Sequence, residues 1–511
     1  MQTFLRSWHT VMPCYTVRMG QKSPAHTPEK EALLVALRGI LPEHSVLCEG
    51  EQLRPYECDG LTAWRALPGV VCLPANAEQV QQILRLCGQM HYPVVARGAG
   101  TGLSGGALPL ENGVLLSLAK FTRILEIDAD NRTARVECGV RNLAISEAVA
   151  PHGLYYAPDP SSQIACTIGG NVAENSGGVH CLKYGLTVHN VLGLKALTMD
   201  GELLEIGSKA LDAPGYDLLA LLHGSEGLLG VLLEVTVKLL PQPERAQLAL
   251  AAFHDVAQAA QAVAAIIGAG IIPAGLEMMD NLALCAAEDY AHAGYPRDAA
   301  AILLCELDGN NEEVSELIMQ VRDLLLANGA YEVHTTRDDA ERLKMWAGRK
   351  AAFPAIGRLA PDYYCMDGTI PRRHLSAVLT RIAELSKHYA LPVANVFHAG
   401  DGNLHPLILY DANQADERTR AEEFGGDILQ LCLEVGGTIT GEHGVGVEKL
   451  NQMCAQFTPH ELGQFHEIKH AFDPKYLLNP GKAVPTLHRC AEHGAMHVHG
   501  GKLPFPELER F

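Results

Sequence analysis

At 511 residues the chain is too long for a single hydrophobic core, so two or more domains are expected. With 48% hydrophobic and 19% charged residues it reads as globular and not disordered. Forty basic against 59 acidic residues leave a formal charge of −19, which argues against nucleic-acid binding and broad docking to anionic lipid, though not against a local basic pocket.

The N-terminal MQTFLRSWHTVMPCYTVRMGQ lacks a continuous apolar core and a cleavage-site pattern, so no secretory signal is expected; Met12 and Met19 leave a downstream start open. Residues 28–42 have helical apolar spacing behind a Thr-Pro-Glu start. From Gly69 come short β-like runs, VVCLP, PVVAR, GVLLSL, ILEID and ARVECG, with helices near 77–90 and 141–150. VLGLKALTMDGELLEIG predicts a hairpin turning at Asp200-Gly201, and EVTVKLLPQP closes this region near residue 243. Residues 246–265 read as an Ala-rich helix. Helices at about 311–328, 372–389 and 414–435 then alternate with the strands AILLCELDG, VANVFH and LHPLILY, an α+β pattern. The expected division is 1–50, an N-terminal helical segment; 51–245; 246–482; and a tail, 483–511, holding Cys490, His493, His497 and His499. No apolar run reaches a membrane span of ~18 residues. The 14 cysteines show no CxxC pair and no cluster spacing, so buried reduced thiols are expected.

PVVARGAGTGLSGGALP, Pro93 to Pro109, is a strand running into a glycine loop, where backbone N–H groups can approach a phosphate. Gly100, Gly102 and Gly105 satisfy GxGxxG, but a Rossmann site needs that loop to open a helix, and Pro109 follows too soon. A diphosphate cradle of another kind fits better. Two further loops, PDPSSQIACTIGGNVAENSGGVHCLKYG and HGSEGLLG, add small residues against which a flat ring could lie. Together the three loops resemble the flavin-binding fold of vanillyl-alcohol oxidase and its relatives. That resemblance implies a two-part FAD-binding domain over 51–245 and an α+β substrate domain, with an antiparallel sheet and flanking helices, over 246–482. It implies that Arg97, Gly98, Ala99, Gly100, Thr101, Gly102 and Ser104 surround the pyrophosphate. Pro158, Asp159, Thr167, Gly169, Gly170, Asn171, Asn175 and Gly177 would line the rest, with Glu226, Gly230 and Val231 on the adenosine side. Thr101 stands where some relatives carry a flavin-linked histidine, so non-covalent FAD is expected.

HAGDGNLH, His398 to His405, has the turn chemistry of a hairpin between VANVF and LHPLIL, which would set His398 and His405 side by side. Two imidazoles with the carboxylate of Glu442, from GEHG, make a ligand set for a divalent metal with open positions; Zn²⁺, Mn²⁺ and Fe²⁺ all suit it. Asp401 and Asn403 are supporting candidates. Such a metal could lower the pKa of a 2-hydroxy acid's hydroxyl, and His443 could take the proton. For the carboxylate Arg349, in MWAGRKAAFP, is the leading cation, with Lys350 and Arg358 behind it.

This half resembles the FAD-linked oxidase family of D-2-hydroxy-acid dehydrogenases. The resemblance implies His398, His405 and Glu442 as metal ligands, His443 as base and Arg349 as the substrate arginine. Cys365, in DYYCMDG, stands where diacid-oxidising members have a lysine, which points to a small monoacid. PYECDG, the first two glycine loops, APDYYCMDGTIPRR and the C-terminal tail are most similar to the glycolate-oxidising branch. That branch implies oxidation of glycolate, with D-lactate as sibling substrate. It further implies a second flavin-type subunit and an iron–sulfur subunit as partners, and a cytoplasmic location with peripheral inner-membrane association through them. A D-lactate dehydrogenase is the alternative enzyme. A catalytically silent flavin-binding scaffold would have lost the metal motif, which is complete here.

Overall fold

The computed structural model describes residues 27–210 and 214–486; the tail histidines and the first 26 residues lie outside these. A four-stranded sheet opens the fold. Its order is Val46–Leu47, Val70–Cys72, Val114–Ser117, Val94–Arg97, with the last three strands parallel. Helix Pro28–Ile40 is capped by Thr27, whose hydroxyl accepts Lys30 N–H at 3.3 Å. It buries Leu33 and Leu37 against helix Ala77–Met90, and Val46–Leu47 pairs with Val71–Cys72. The first described residues are therefore packed onto this first sheet and its helix.

An antiparallel five-stranded sheet follows, ordered Ile124–Asp128, Thr133–Glu137, Val231–Lys238, Val191–Leu197, Leu203–Gly207. The last two strands are the expected hairpin, with Gly201 at φ +74° in its turn. A seven-stranded antiparallel sheet carries the second half. Its order is Ala330–Thr335, Arg245–Phe253, Ala301–Gly309, Gly275–Asp280, Val393–His398, Pro406–Tyr410, Asp362–Cys365.

Arg245–Phe253 corrects the reading of 246–265 as one helix: the helix begins only at Val256. The strand pairs on both edges, and from Leu248 to Phe253 every side chain is buried. A strand covered on both faces loses its period-2 signature, and LALAAF then has a helix's composition. The chain also returns at its end. Asn479 N–H donates to Val94 O and Val94 N–H to Leu477 O, both at 2.8 Å, so the segment after Phe472 completes the first sheet. Eleven described cysteines carry free thiols, and no helix among the described residues is long and apolar enough to cross a membrane.

Candidate active site

A cavity of about 700 Å³ lies between the halves. The loop leaving strand Val94–Arg97 forms one wall, with Arg97 to Gly102 lining it. Among the described residues no protein acceptor takes the backbone N–H groups of Gly98 to Gly106; the next amide, Ala107, donates to Asp59 Oδ2 at 3.3 Å. Unspent amides at a cavity wall are what an anion cradle requires. Gly100 holds φ +71°, and a Cβ on Gly98 would stand 2.2 Å from Thr167 Oγ1. The second loop adds Thr167, Gly169, Gly170 and Asn171, at the start of helix Ile168–Glu174. The cavity thus fits a diphosphate joined to a flat ring.

Several expected flavin residues serve this wall from behind. Ser104 accepts Val447 N–H at 3.0 Å and Glu448 N–H at 3.2 Å on its carbonyl. Pro158 O accepts Asn142 Nδ2–H, and Asn175 Oδ1 accepts Val188 N–H. Asp159 pairs with His180 at 2.9 Å. Gly177 packs so closely that a Cβ there would meet Glu442 Oε2 at 2.7 Å. Val231 is fully buried in its strand, while Glu226 and Gly230 line the cavity.

The same cavity is lined by His405, Glu442 and His443. Strands Val393–His398 and Pro406–Tyr410 pair as expected of the hairpin, and Asp401 Oδ1 accepts Asn403 N–H in its turn at 3.0 Å. The His398 and His405 rings lie 5.1 Å apart. Glu442 Oε1 is 3.3 Å from His398 Nε2 and 2.9 Å from His405 Nε2. One ligand atom from each of the three falls within 4.8 Å of the others. Burial would raise the Glu442 carboxyl, but the two imidazoles hold it well below the usual range. Two nitrogens and one carboxylate oxygen converging in this way fit a divalent cation with open positions.

His443 stacks on His405 at 4.9 Å, and its buried Nδ1 has no hydrogen-bond partner. Burial lowers it to about 4, against the nearby Asp367 carboxylate, so the imidazole is neutral at physiological pH. Its loop is held by Asp367 Oδ2, which accepts the N–H groups of Gly441 at 3.1 Å and His443 at 2.8 Å. DYYCMDG contains this aspartate, but nothing local marks it as the acceptor for a loop 74 residues on.

Arg349 is buried and is not on the cavity wall, where Lys350 stands instead. Its Nε donates to Glu277 Oε2 at 2.9 Å, and Nη2 lies 2.6 Å from the same oxygen. Glu277 Oε1 in turn meets His398 Nδ1 at 2.7 Å. Sequence reasoning missed Glu277. The available signal was a carboxylate in the middle of the apolar run LEMM, in strand Gly275–Asp280.

The chain matches two family models, "FAD binding domain" over residues 68–207 and "FAD linked oxidases, C-terminal domain" over 242–483. It is 65% identical over 483 residues to the glycolate oxidase subunit GlcD of Escherichia coli K12, covering 94% of this chain and 97% of that one. Identity to the D-lactate dehydrogenase of Archaeoglobus fulgidus is 35% over 422 residues, covering 82% of this chain and 92% of that one. Among solved structures, p-cresol methylhydroxylase shares the fold with a TM-score of 0.77 at 17% identity, over 91% of this chain and 98% of that one.

Proposed function

This chain belongs to the FAD-linked oxidases, and from that premise we propose that it oxidises small 2-hydroxy acids. Glycolate, giving glyoxylate, is the first substrate and D-lactate the second, and the electrons pass to partner subunits. One observation carries the reading: the glycine loops and His405, Glu442 and His443 line one and the same cavity. The E. coli and A. fulgidus relatives support the two substrates by their names.

Oxidising a 2-hydroxy acid to a 2-oxo acid removes a hydride from Cα and a proton from the hydroxyl. FAD, when bound, supplies the hydride acceptor, and a divalent cation supplies Lewis acidity that makes the hydroxyl more acidic. Arg97 to Gly102, with Thr167 to Asn171, would hold the FAD without a covalent link, and His398, His405 and Glu442 would hold the cation. His443, neutral and unpartnered at Nδ1, takes the hydroxyl proton. Arg349, held by Glu277 through Nε and Nη2, is the cation assigned to the substrate carboxylate. Phe353, Pro354 and Tyr363 close this end with carbon-rich surface. Buried Cys365 places no second cation there, which suits a short monoacid.

The test is an anaerobic titration of the isolated flavoprotein with glycolate, D-lactate and L-lactate, each with and without a chelator. Glycolate should bleach the oxidised flavin, and the chelator should abolish the bleaching. Bleaching by D-lactate alone would make this a D-lactate dehydrogenase. Glycolate bleaching that survives complete metal removal would refute the metal's part.

A further inference from the structure

Glu277 stands in strand Gly275–Asp280 directly across from His398 in strand Val393–His398. Directly paired residues of antiparallel strands project side by side from the same face, so the sheet register itself delivers the carboxylate to the imidazole. One oxygen, Oε1, meets His398 Nδ1 at 2.7 Å; the other, Oε2, takes Arg349 Nε–H at 2.9 Å. Glu277 is 1% exposed and Arg349 likewise 1%. A charged residue this deep in a central strand has to be compensated, and both compensating groups belong to the proposed site. His398 bonded through Nδ1–H is fixed in the tautomer that leaves Nε2 free, and Nε2 is the nitrogen that faces Glu442.

We propose that Glu277 is a positioning residue joining the two halves of the substrate site. It orients His398 as a metal ligand and sets the guanidinium of Arg349 at a fixed place relative to that ligand. This inference rests on the metal reading above. A hydroxyl and a carboxylate on adjacent carbons must be gripped at one spacing, and a single side chain bonded to both grips supplies it. An outer partner of this kind commonly changes metal affinity 10- to 100-fold.

The experiment is Zn²⁺ affinity of the FAD-loaded protein, measured by competition with a chromophoric chelator, together with flavin content. Glu277→Gln keeps the size and removes the charge. It should weaken Zn²⁺ binding by roughly 10- to 100-fold with flavin content unchanged. Because this variant leaves Arg349 buried without its partner, the double variant Glu277→Gln/Arg349→Met is measured beside it and carries the readout if the single variant is insoluble. Weak Zn²⁺ binding in the double variant supports the proposal. Wild-type affinity in either variant overturns it, since Glu277 would then only neutralise Arg349. Wild-type protein that binds no Zn²⁺ at this site would sink the metal reading itself and this inference with it.

Discussion

Glu226 Oε1 accepts the backbone N–H of Val445 at 2.7 Å, across 219 residues of chain. Its other oxygen accepts Gly446 N–H at 2.7 Å. A residue expected beside the adenosine therefore also clamps the far side of the loop that carries His443, opposite Asp367. Glu226→Ala would leave two buried amides unpaired, at roughly 1–3 kcal/mol each. We expect it to slow flavin reduction by glycolate at least about tenfold, the rate equivalent of roughly 1.4 kcal/mol, with Glu226→Gln less affected because it keeps one acceptor. Stopped-flow reduction at the wild-type rate in the alanine variant would remove Glu226 from this role.

His443→Gln retains a polar side chain but no base. It should leave FAD and metal bound and slow flavin reduction by roughly 10²–10⁴-fold, the usual worth of a general base. A rate near wild type would reassign the proton acceptor.

What was legible in the sequence follows from where each residue sits. HAGDGNLH and GEHG could be read because histidines crowded among glycines on short turns have no packing reason to be there. The strands Val94–Arg97 and Ala301–Gly309 were readable from their own composition. Glu277 and Asp367 were not, because their meaning depends on partners 121 and 76 positions away. Asp159 was expected beside the flavin from its loop, and its pairing with His180 was not legible there.

That His180 also ties the two halves together. It lies 2.9 Å from Asp159 and 3.2 Å from Glu306, which is further held by Arg342 at 3.0 Å. Burial works against a charged His180, but Asp159 and Glu306 raise it well above the usual value of 6.5. Burial likewise opposes an ionised Glu306, yet His180 and then Arg342 hold it at about 2, against an ordinary 4.5. The histidine's contribution is complete below pH 6.5 and is lost as pH rises through its raised value. The glutamate's is complete above pH 4.5 and is lost as pH falls toward 2. Stability from this cluster should therefore peak between those limits. His180→Asn should cost about 3 kcal/mol there and flatten the alkaline arm of the Tm–pH curve. An unchanged alkaline arm would show that His180 does not carry the dependence.

Gly98 has no room for a side chain, since its Cβ would stand 2.2 Å from Thr167 Oγ1, the cap of helix Ile168–Glu174. Gly98→Ala must push the two flavin loops apart. The purified variant should hold much less flavin than wild type while its far-ultraviolet circular dichroism stays the same. In the wild type all flavin should enter the supernatant on acid precipitation, because Thr101 offers no imidazole for a covalent link. Flavin remaining with the pellet would contradict that assignment.

Arg349→Lys tests the carboxylate clamp most directly. Lysine keeps the charge that Glu277 requires, so the buried ion pair survives, but the planar fork that presents two parallel N–H groups is gone. If those groups bind the substrate carboxylate, KM for glycolate should rise about 10- to 100-fold, or roughly 1.4–2.7 kcal/mol, with metal content unchanged. Lys350 is the control, because it lines the cavity yet lies exposed at its edge. Lys350→Ala should change KM less than threefold. The reverse pattern, a large effect at Lys350 and a small one at Arg349, would move the clamp to the lysine and leave Arg349 as the counter-charge of Glu277 alone.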